Sequence, residues 1–401
     1  MDTEQANPET APNTMGYDRR PLPLWVLCIM SSVTFMAVIS EISPSGILPQ
    51  MAQSLGVSVA QAGNLVGLYA FPAALCAIPM IALTAKCNRK TLLMTLLAGF
   101  AVCNLIIAIS SSFYLTSACR MLAGVCAGTM WPMIGTYGMR LVDRRYQGRA
   151  TVIIFSGTSL ATSIGMPVIS SIGLWTHWRV EFFMIALILL TQLYLAYRYL
   201  PSIEGVSHKY SETVWSMLKN RYVVSALVLT CFGVIGAYAG YIYITVLVRD
   251  SQFMGGVPTA LFLFGVGAIA TIFIAARWID QYFQQLTVIL FAMTALSMLL
   301  LVVFKGTPLI SHLAFVLWGL GYGILSTNQA AIVRNVNKGR DISISMQVAT
   351  YNFSIMIASS VGGLLLAQTN IMVVISIAGL CSLGAALLAF FDKKTYGNHP
   401  L

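Results

Sequence analysis

Two ionisable side chains, Glu41 and Arg120, stand inside long apolar stretches of this sequence, and the chemistry they could do there is proton binding and its control. Of the thirteen Asp and Glu residues, twelve occupy polar segments or the ends of apolar ones; Glu41 alone lies well inside. A charge deep in a bilayer costs roughly 3 kcal/mol or more, so such a residue usually faces a cavity and serves function. Desolvation disfavours the charged form of a carboxylate, which brings its protonation within reach of a proton gradient. Counting from Pro49 to Glu41 and from Ser112 to Arg120 gives eight residues each, about 12 Å of depth at 1.5 Å per residue, so the two side chains can approach one another. A contact made in only one conformation would couple protonation to movement, whereas a permanent one would be a structural ion pair.

A second group of side chains could contact a solute. Trp131, Tyr238, Tyr241, Tyr243, Asn328, Gln329, Gln347, Tyr351 and Asn352 all fall within apolar stretches. Amides there can instead bond neighbouring helices, and tyrosines near the ends can sit at the membrane interface. If they line a cavity, it offers aromatic faces and neutral hydrogen-bonding groups, which suit a neutral or amphipathic solute such as a nucleoside, sugar or drug.

These residues need elements to hold them. Mean hydropathy is +0.80, and only 9% of the 401 residues are charged, well under the quarter or so of a soluble domain. About 20 apolar residues cross a bilayer as a helix, and twelve such stretches lie near 24–48, 60–83, 91–110, 113–138, 150–173, 180–199, 222–247, 257–277, 286–304, 309–333, 343–366 and 370–391. They are too long and too evenly apolar for the alternating segments of a β-barrel. The expected fold class is an all-α polytopic membrane protein.

Basic residues lie in alternate loops. If the amino terminus is cytoplasmic, 19 of the 23 Lys and Arg fall on that side, with Arg179, Arg249 and Lys305 opposite and Arg120 inside a span. The positive-inside rule then places both termini in the cytoplasm and accounts for the net charge of +10 without a nucleic-acid partner; membrane lipid is the expected surrounding. The polar first 20 residues, with no cleavage pattern after the first apolar run, predict no secretory signal.

The longest polar interruption divides the chain. It predicts a cytoplasmic tail at 1–22, a six-helix half at 23–200, a central loop at 201–221, a second six-helix half at 222–392 and a tail at 393–401. The segment Thr84–Lys90 after the second span faces Ala275–Gln281 after the eighth, and Arg140 and Arg334 end the fourth and tenth, as a duplication would leave them. Repeated halves around a midplane site are a carrier design. An enzyme is not expected. The histidines at 177, 208, 312 and 399 lie in loops, span ends or the tail, the eight cysteines are scattered singly, and no P-loop or GxSxG occurs, so no metal and no cofactor are implied.

Several motifs now fall into a pattern. Ser40-Glu41-Ile-Ser-Pro44-Ser-Gly46-Ile-Leu48-Pro49 is followed by Gln61-Ala-Gly63; Arg120-Met-Leu-Ala-Gly124 precedes Met130-Trp131; Gly157, Gly165-Met-Pro167 and Gly173 precede Trp178-Arg179 and Phe182. Over nearly its whole length the chain resembles the major facilitator superfamily, and specifically the twelve-span drug/proton antiporter branch that includes bacterial sugar and purine-ribonucleoside efflux transporters. The segment Thr84–Lys90 keeps only the basic end of that superfamily's loop motif, and Val168–Ser171 stand where a second Gly is common.

The resemblance implies twelve helices in two pseudo-symmetric six-helix halves, with spans 1, 4, 7 and 10 lining the cavity. It implies that Glu41 takes up the proton, that Arg120 assists, and that Gly157, Gly165 and Pro167 form a conformational motif. The expected function is proton-coupled export of a drug, antibiotic, nucleoside or sugar across a bacterial inner membrane by alternating access. Uptake, or sensing without transport, is the alternative.

Overall fold

The computed structural model describes residues 23–143, 146–205, 213–279, 281–336 and 338–397, with the side chains of residues 81, 323–326 and 341 left aside. The expected tail at 1–22, the loop residues 206–212 and the last residues 398–401 lie outside the described residues.

Among the described residues, helix accounts for every long element. Ten helices are long and apolar enough to cross a membrane: Leu24–Gly46, Val59–Met80, Arg89–Ile109, Gln147–Trp175, Trp178–Tyr199, Arg221–Ile242, Gly256–Trp278, Phe283–Val303, Ile342–Gln368 and Ile371–Phe391. Phe113–Met139, which carries Arg120, and the broken pair Pro308–Leu320 and Ile324–Asn335 complete the set as spans 4 and 10. The twelve expected spans are therefore present, and they are numbered 1 to 12 in chain order. One boundary differs. The chain continues past residue 48 in a further helix, Leu48–Leu55, so Glu41 sits deeper from that end than a count from Pro49 gives.

The packing repeats between halves. Span 1 packs on 5 and 6, span 2 on 4, and span 3 on 4 and 6; span 7 packs on 11 and 12, span 8 on 10, and span 9 on 10 and 12. Each contact of the first half thus recurs six spans later, which is the pseudo-symmetry expected of the fold. The halves join through span 2 against 11 and span 5 against 8, again a symmetric pair.

Close approach follows from small residues and helix breaks, the means by which helices associate where lipid tails are as apolar as side chains. A Cβ built on Gly265 of span 8 would lie 2.4 Å from Ser163 Cα of span 5, so only glycine allows that backbone contact. Outward faces carry Leu83, Ile109, Phe183, Phe273, Leu380 and Phe391 in exposed positions. In water such a surface would be an aggregation liability; in a bilayer it is the lipid contact.

Candidate substrate and proton site

Span 1 breaks at its proline. The helix Leu24–Ile42 passes into a 3-10 turn at Ser43–Gly46. Pro44 has no N–H, which leaves the Ser40 carbonyl without its i+4 donor and the Glu41 carbonyl without an i+3 one. Arg120 supplies both. Its Nη1 donates to the Ser40 carbonyl, its Nη2 to the Glu41 carbonyl, and its Nε to the Leu65 carbonyl of span 2 at 2.9 Å. The guanidinium lies 4.6 Å from the centre of the Tyr69 ring and is wholly buried. Asn104 of span 3 donates to Ser40 Oγ at 3.0 Å and steadies the same turn.

Glu41 and Arg120 are thus brought together, but through the backbone. Among the described residues no salt bridge joins the two side chains, and Glu41 Oε1 is buried without a hydrogen-bond partner. With 4% of its surface exposed, the carboxyl lies within electrostatic reach of three tyrosine hydroxyls of the other half, Tyr238, Tyr322 and Tyr351.

Those three hydroxyls form a cluster. Tyr238 is the hub, 3.3 Å from the Tyr322 hydroxyl and hydrogen-bonded to that of Tyr351. Beside it, a tight crevice between the halves has Ile42 and Thr162 on one wall and Tyr238, Tyr241, Phe264 and Tyr322 on the other. Its walls come from spans 1 and 5 on one side and 7, 8 and 10 on the other: of the spans the resemblance implied, 1, 7 and 10 line it and span 4 does not, while spans 5 and 8 do. Tyr241 packs its ring on Phe264 at 5.1 Å, and its hydroxyl is buried without a partner.

The other expected solute contacts are more dispersed. Tyr243 donates to the Ser359 carbonyl at 2.7 Å, and its ring rests against Gly63 of span 2, which makes it a bridge between the halves. Asn328 takes the Tyr396 hydroxyl at 2.9 Å and donates to Thr230 at 3.2 Å; Gln347 reaches the same Thr230 hydroxyl at 3.4 Å. Asn352 is buried and donates to the Val348 carbonyl of its own helix, while Gln329 is exposed. Trp131 is half-buried and stacks on Phe155 at 6.3 Å.

The glycine–proline motif stands at two interfaces. Cβ atoms built on Gly157 and Gly165 would meet Ser31 O at 2.0 Å and the Phe35 ring at 2.6 Å, so span 5 is seated directly on span 1. Between them the helix widens into a π-turn at Ala161–Gly165, and the α-helix restarts at Met166-Pro167. Such turns commonly mark functional sites in helices.

The sequence model of the Major Facilitator Superfamily matches residues 30–343. The chain belongs to that family. As a Major Facilitator Superfamily member it is a multi-span membrane transporter and not an enzyme. Among relatives, a "Chloramphenicol efflux pump" of Mycobacterium tuberculosis strain H37Rv is 30% identical over 391 residues, 93% of each chain. A "Probable sugar efflux transporter" of Helicobacter acinonychis is 25% identical over 379 residues, 94% of this chain and 96% of the other. A "Transcription regulatory protein OpdE" of Pseudomonas aeruginosa is 27% identical over 403 residues, 98% of each. The crystal structure of a point mutant of the nucleoside transporter NupG superposes with a TM-score of 0.73 at 13% identity, covering 92% of this chain and 98% of that one, a likeness of fold.

Two residues of this superfamily member escaped the sequence reading. Tyr322 sits in the Gly321–Gly323 turn that divides span 10, and no apolar pattern marks its direction. Glu181 was counted among the carboxylates at span ends. It is in the first turn of span 6, yet it is wholly buried, because span 1's break and span 5 close over it. Glu181 thus joins Glu41 as a second buried carboxylate, although it stands at a span end and not inside an apolar run.

Proposed function

We propose that this transporter exports a neutral, amphipathic solute in exchange for protons, with Glu41 as the proton-binding group and the Tyr238–Tyr322–Tyr351 cluster as the solute-binding wall. The observation that carries the reading is the buried Glu41 carboxyl, whose Oε1 has no hydrogen-bond partner, within electrostatic reach of the hydroxyl cluster of the opposite half. Arg120 spends its donors on backbone carbonyls, so the charge of Glu41 is left to be balanced by a proton or by groups that cross from the other half. A solute with an aromatic ring and hydroxyl or amide groups can stack on the tyrosine rings and exchange hydrogen bonds with their hydroxyls. Proton and solute then compete for one neighbourhood, which is the requirement for exchange. Arg120 acts as a positioning residue, and Gly157, Gly165 and Pro167 let span 5 follow span 1 as the halves rock.

The solute class is set by analogy with the relatives: an antibiotic of the chloramphenicol kind first, a sugar or nucleoside next. Both termini face the cytoplasm of a bacterial inner membrane, on the basic-loop asymmetry. The test uses everted vesicles with an imposed pH gradient and additions of chloramphenicol, arabinose or inosine. Chloramphenicol dissipates the gradient with the wild-type protein and not with Glu41→Gln, while Glu41→Gln retains radiolabelled solute counterflow. Gradient-driven transport that survives Glu41→Gln removes the assignment. The regulatory name of one relative favours a sensor as second reading, and absence of flux for every solute in reconstituted vesicles would sustain it.

A further inference from the structure

Glu181 brings a second buried carboxyl to span 1. Ser43, in the 3-10 turn two residues after Glu41, donates its hydroxyl hydrogen to Glu181 Oε1. The other oxygen, Oε2, is buried with no hydrogen-bond partner, and a Cβ built on Gly173 of span 5 would lie 2.3 Å from it. The break in span 1 therefore has one carboxyl, Glu41, just before it and another, Glu181, bonded to it through Ser43. Glu41 lies within electrostatic reach of the tyrosines of the second half, Glu181 is enclosed among spans 1, 5 and 6, and each has a buried oxygen without a partner.

A glutamate in the first turn of a helix is ordinarily a solvated group that complements the helix dipole. Glu181 has no solvent contact, and no salt bridge to it is present among the described residues. Span 6 packs on spans 1, 3 and 5. Toward this end those elements carry Glu41 and Cys103 as titratable groups, while Arg89, Lys90 and Arg149 belong to the opposite end. On its own element, Arg179 is held away from it, donating to Ser54 Oγ at 2.7 Å and the Ser110 carbonyl at 2.8 Å and stacking on Trp178. A buried carboxylate with no ion-pair partner among the described residues carries a desolvation cost that protonation removes.

We propose that Glu181 is a second proton-binding carboxyl of the transport cycle, whose charge acts on the span 1 break through Ser43. The inference rests on the exchange reading of Glu41. A proton from the aqueous phase adds to Oε2 and leaves by the same atom; no other bond is made or broken. The charged carboxylate holds the Ser43 hydroxyl strongly, and the neutral acid holds it weakly, so the turn that carries Glu41 is tight in one state and looser in the other. The two carboxyls thereby load protons at one hinge.

Proton binding is read without any solute, by infrared difference spectra of the full-length protein in lipid vesicles as pH is stepped. The carbonyl stretch of a protonated carboxylic acid reports each buried acid. Glu181→Gln keeps an acceptor for Ser43, so it preserves the turn while abolishing the proton site. The expected result is that Glu181→Gln and Glu41→Gln each remove a separate component of the pH-dependent acid band, of comparable amplitude. A Glu181→Gln spectrum that superimposes on the wild type at every pH, while Glu41→Gln loses its component, overturns the inference and leaves the exchange reading standing. Loss of no component in Glu41→Gln counts against the exchange reading, and the inference goes with it. Where Glu181→Gln does not fold, Ser43→Ala serves: it retains the carboxyl but removes its donor, and the Glu181 component changes the pH at which it appears. An unchanged component in Ser43→Ala overturns the coupling through Ser43.

Discussion

If Arg120 is present because Pro44 strips donors from span 1, then giving the donor back should make Arg120 partly dispensable. The perturbation is a double-mutant cycle of Arg120→Met and Pro44→Ala. Arg120→Met keeps an unbranched stem and removes the bonds to the Ser40, Glu41 and Leu65 carbonyls. The Leu65 carbonyl retains its place in the span 2 helix, but the other two lose the group that replaces the missing proline N–H. Leaving a buried acceptor unsatisfied costs about 1–3 kcal/mol, so two give about 2–6 kcal/mol in an aqueous reference, and interhelical bonds in membranes average lower. Against this, Arg120→Met also removes a buried guanidinium that no carboxylate pairs, which relieves a desolvation cost. The single variant mixes both effects; the cycle separates them. Pro44→Ala restores an N–H that can serve the Ser40 carbonyl, so the double variant is expected to be more stable than the sum of the single changes by about 1–2 kcal/mol. The assay is unfolding in mixed micelles on titration with dodecyl sulfate, followed by tryptophan fluorescence. Additivity within about 0.5 kcal/mol would refute the reasoning, since the arginine's role would then be independent of the proline.

Three further outcomes are expected. Gly157→Ala places a methyl group 2.0 Å from the Ser31 carbonyl and 2.4 Å from Thr34 Oγ1, so spans 1 and 5 must separate at a cost of about 1–3 kcal/mol; Gly148→Ala, which meets nothing within 4 Å, leaves the same unfolding midpoint unchanged. Tyr238→Phe removes the hydroxyl shared by Tyr322 and Tyr351 and should raise the KM for the exported solute about 3- to 10-fold with stability nearly unchanged, measured by concentration-dependent flux. Asp392 lies just beyond span 12. Partial burial works to raise its carboxyl, but hydrogen bonds from Ser225 and Thr395 and the Arg221 guanidinium outweigh this and hold it below the ordinary aspartate value. A depressed value in the folded state contributes stability that is present above the unfolded value, about 3.9, and is lost as pH falls through the folded one. Limited proteolysis should find the carboxy-terminal turn Lys393–Tyr396 docked from neutral pH down to about 4 and released below it, and released at all these values in Asp392→Asn.

Much of this architecture is legible in the sequence because a bilayer admits few solutions: a spanning segment must be helical and about 20 residues long, and each run of that kind became a helix. The bend near Glu41 was legible for a similar reason, since Pro44 cannot continue the backbone bonds. What sequence does not carry is direction around the helix. Neighbouring residues differ by about 100° on an α-helix, so Asn328 can be buried against Thr230 and Tyr396 while Gln329 is exposed. The same limit hid Glu181. Its place near a span end reads as a solvated anchor, and only the packing of spans 1 and 5 over it turns it inward. Tyr322 was missed because the glycines on either side of it interrupt the apolar pattern that would have given it a face.

The arrangement around span 1 also bears on why a buried arginine and a buried glutamate can be neighbours without pairing. Had the guanidinium closed on the Glu41 carboxylate, the pair would have been satisfied within one half and indifferent to the other, and a strong internal ion pair resists protonation. Instead Pro44 exposes two carbonyls whose geometry takes up the arginine's donors, and Arg120 stays within reach of the carboxylate as a charge rather than as a partner. On the proposed reading this division of labour is what makes Glu41 responsive. The nearest polar groups of the other half, the Tyr238, Tyr322 and Tyr351 hydroxyls, act on it only through space, so on this reading its proton affinity follows the approach of the two halves. Arg120→Lys would test the point from the other direction: an ammonium, with its donors on one atom, cannot reproduce the planar fork that reaches the Ser40, Glu41 and Leu65 carbonyls together, and it is free to swing to Glu41. The substitution should therefore trade exchange for a locked carrier, with gradient-driven flux falling at least tenfold, a barrier higher by about 1.4 kcal/mol or more, while solute binding by isothermal calorimetry persists. Equal loss of binding and flux would instead mean that Arg120 builds the solute site itself.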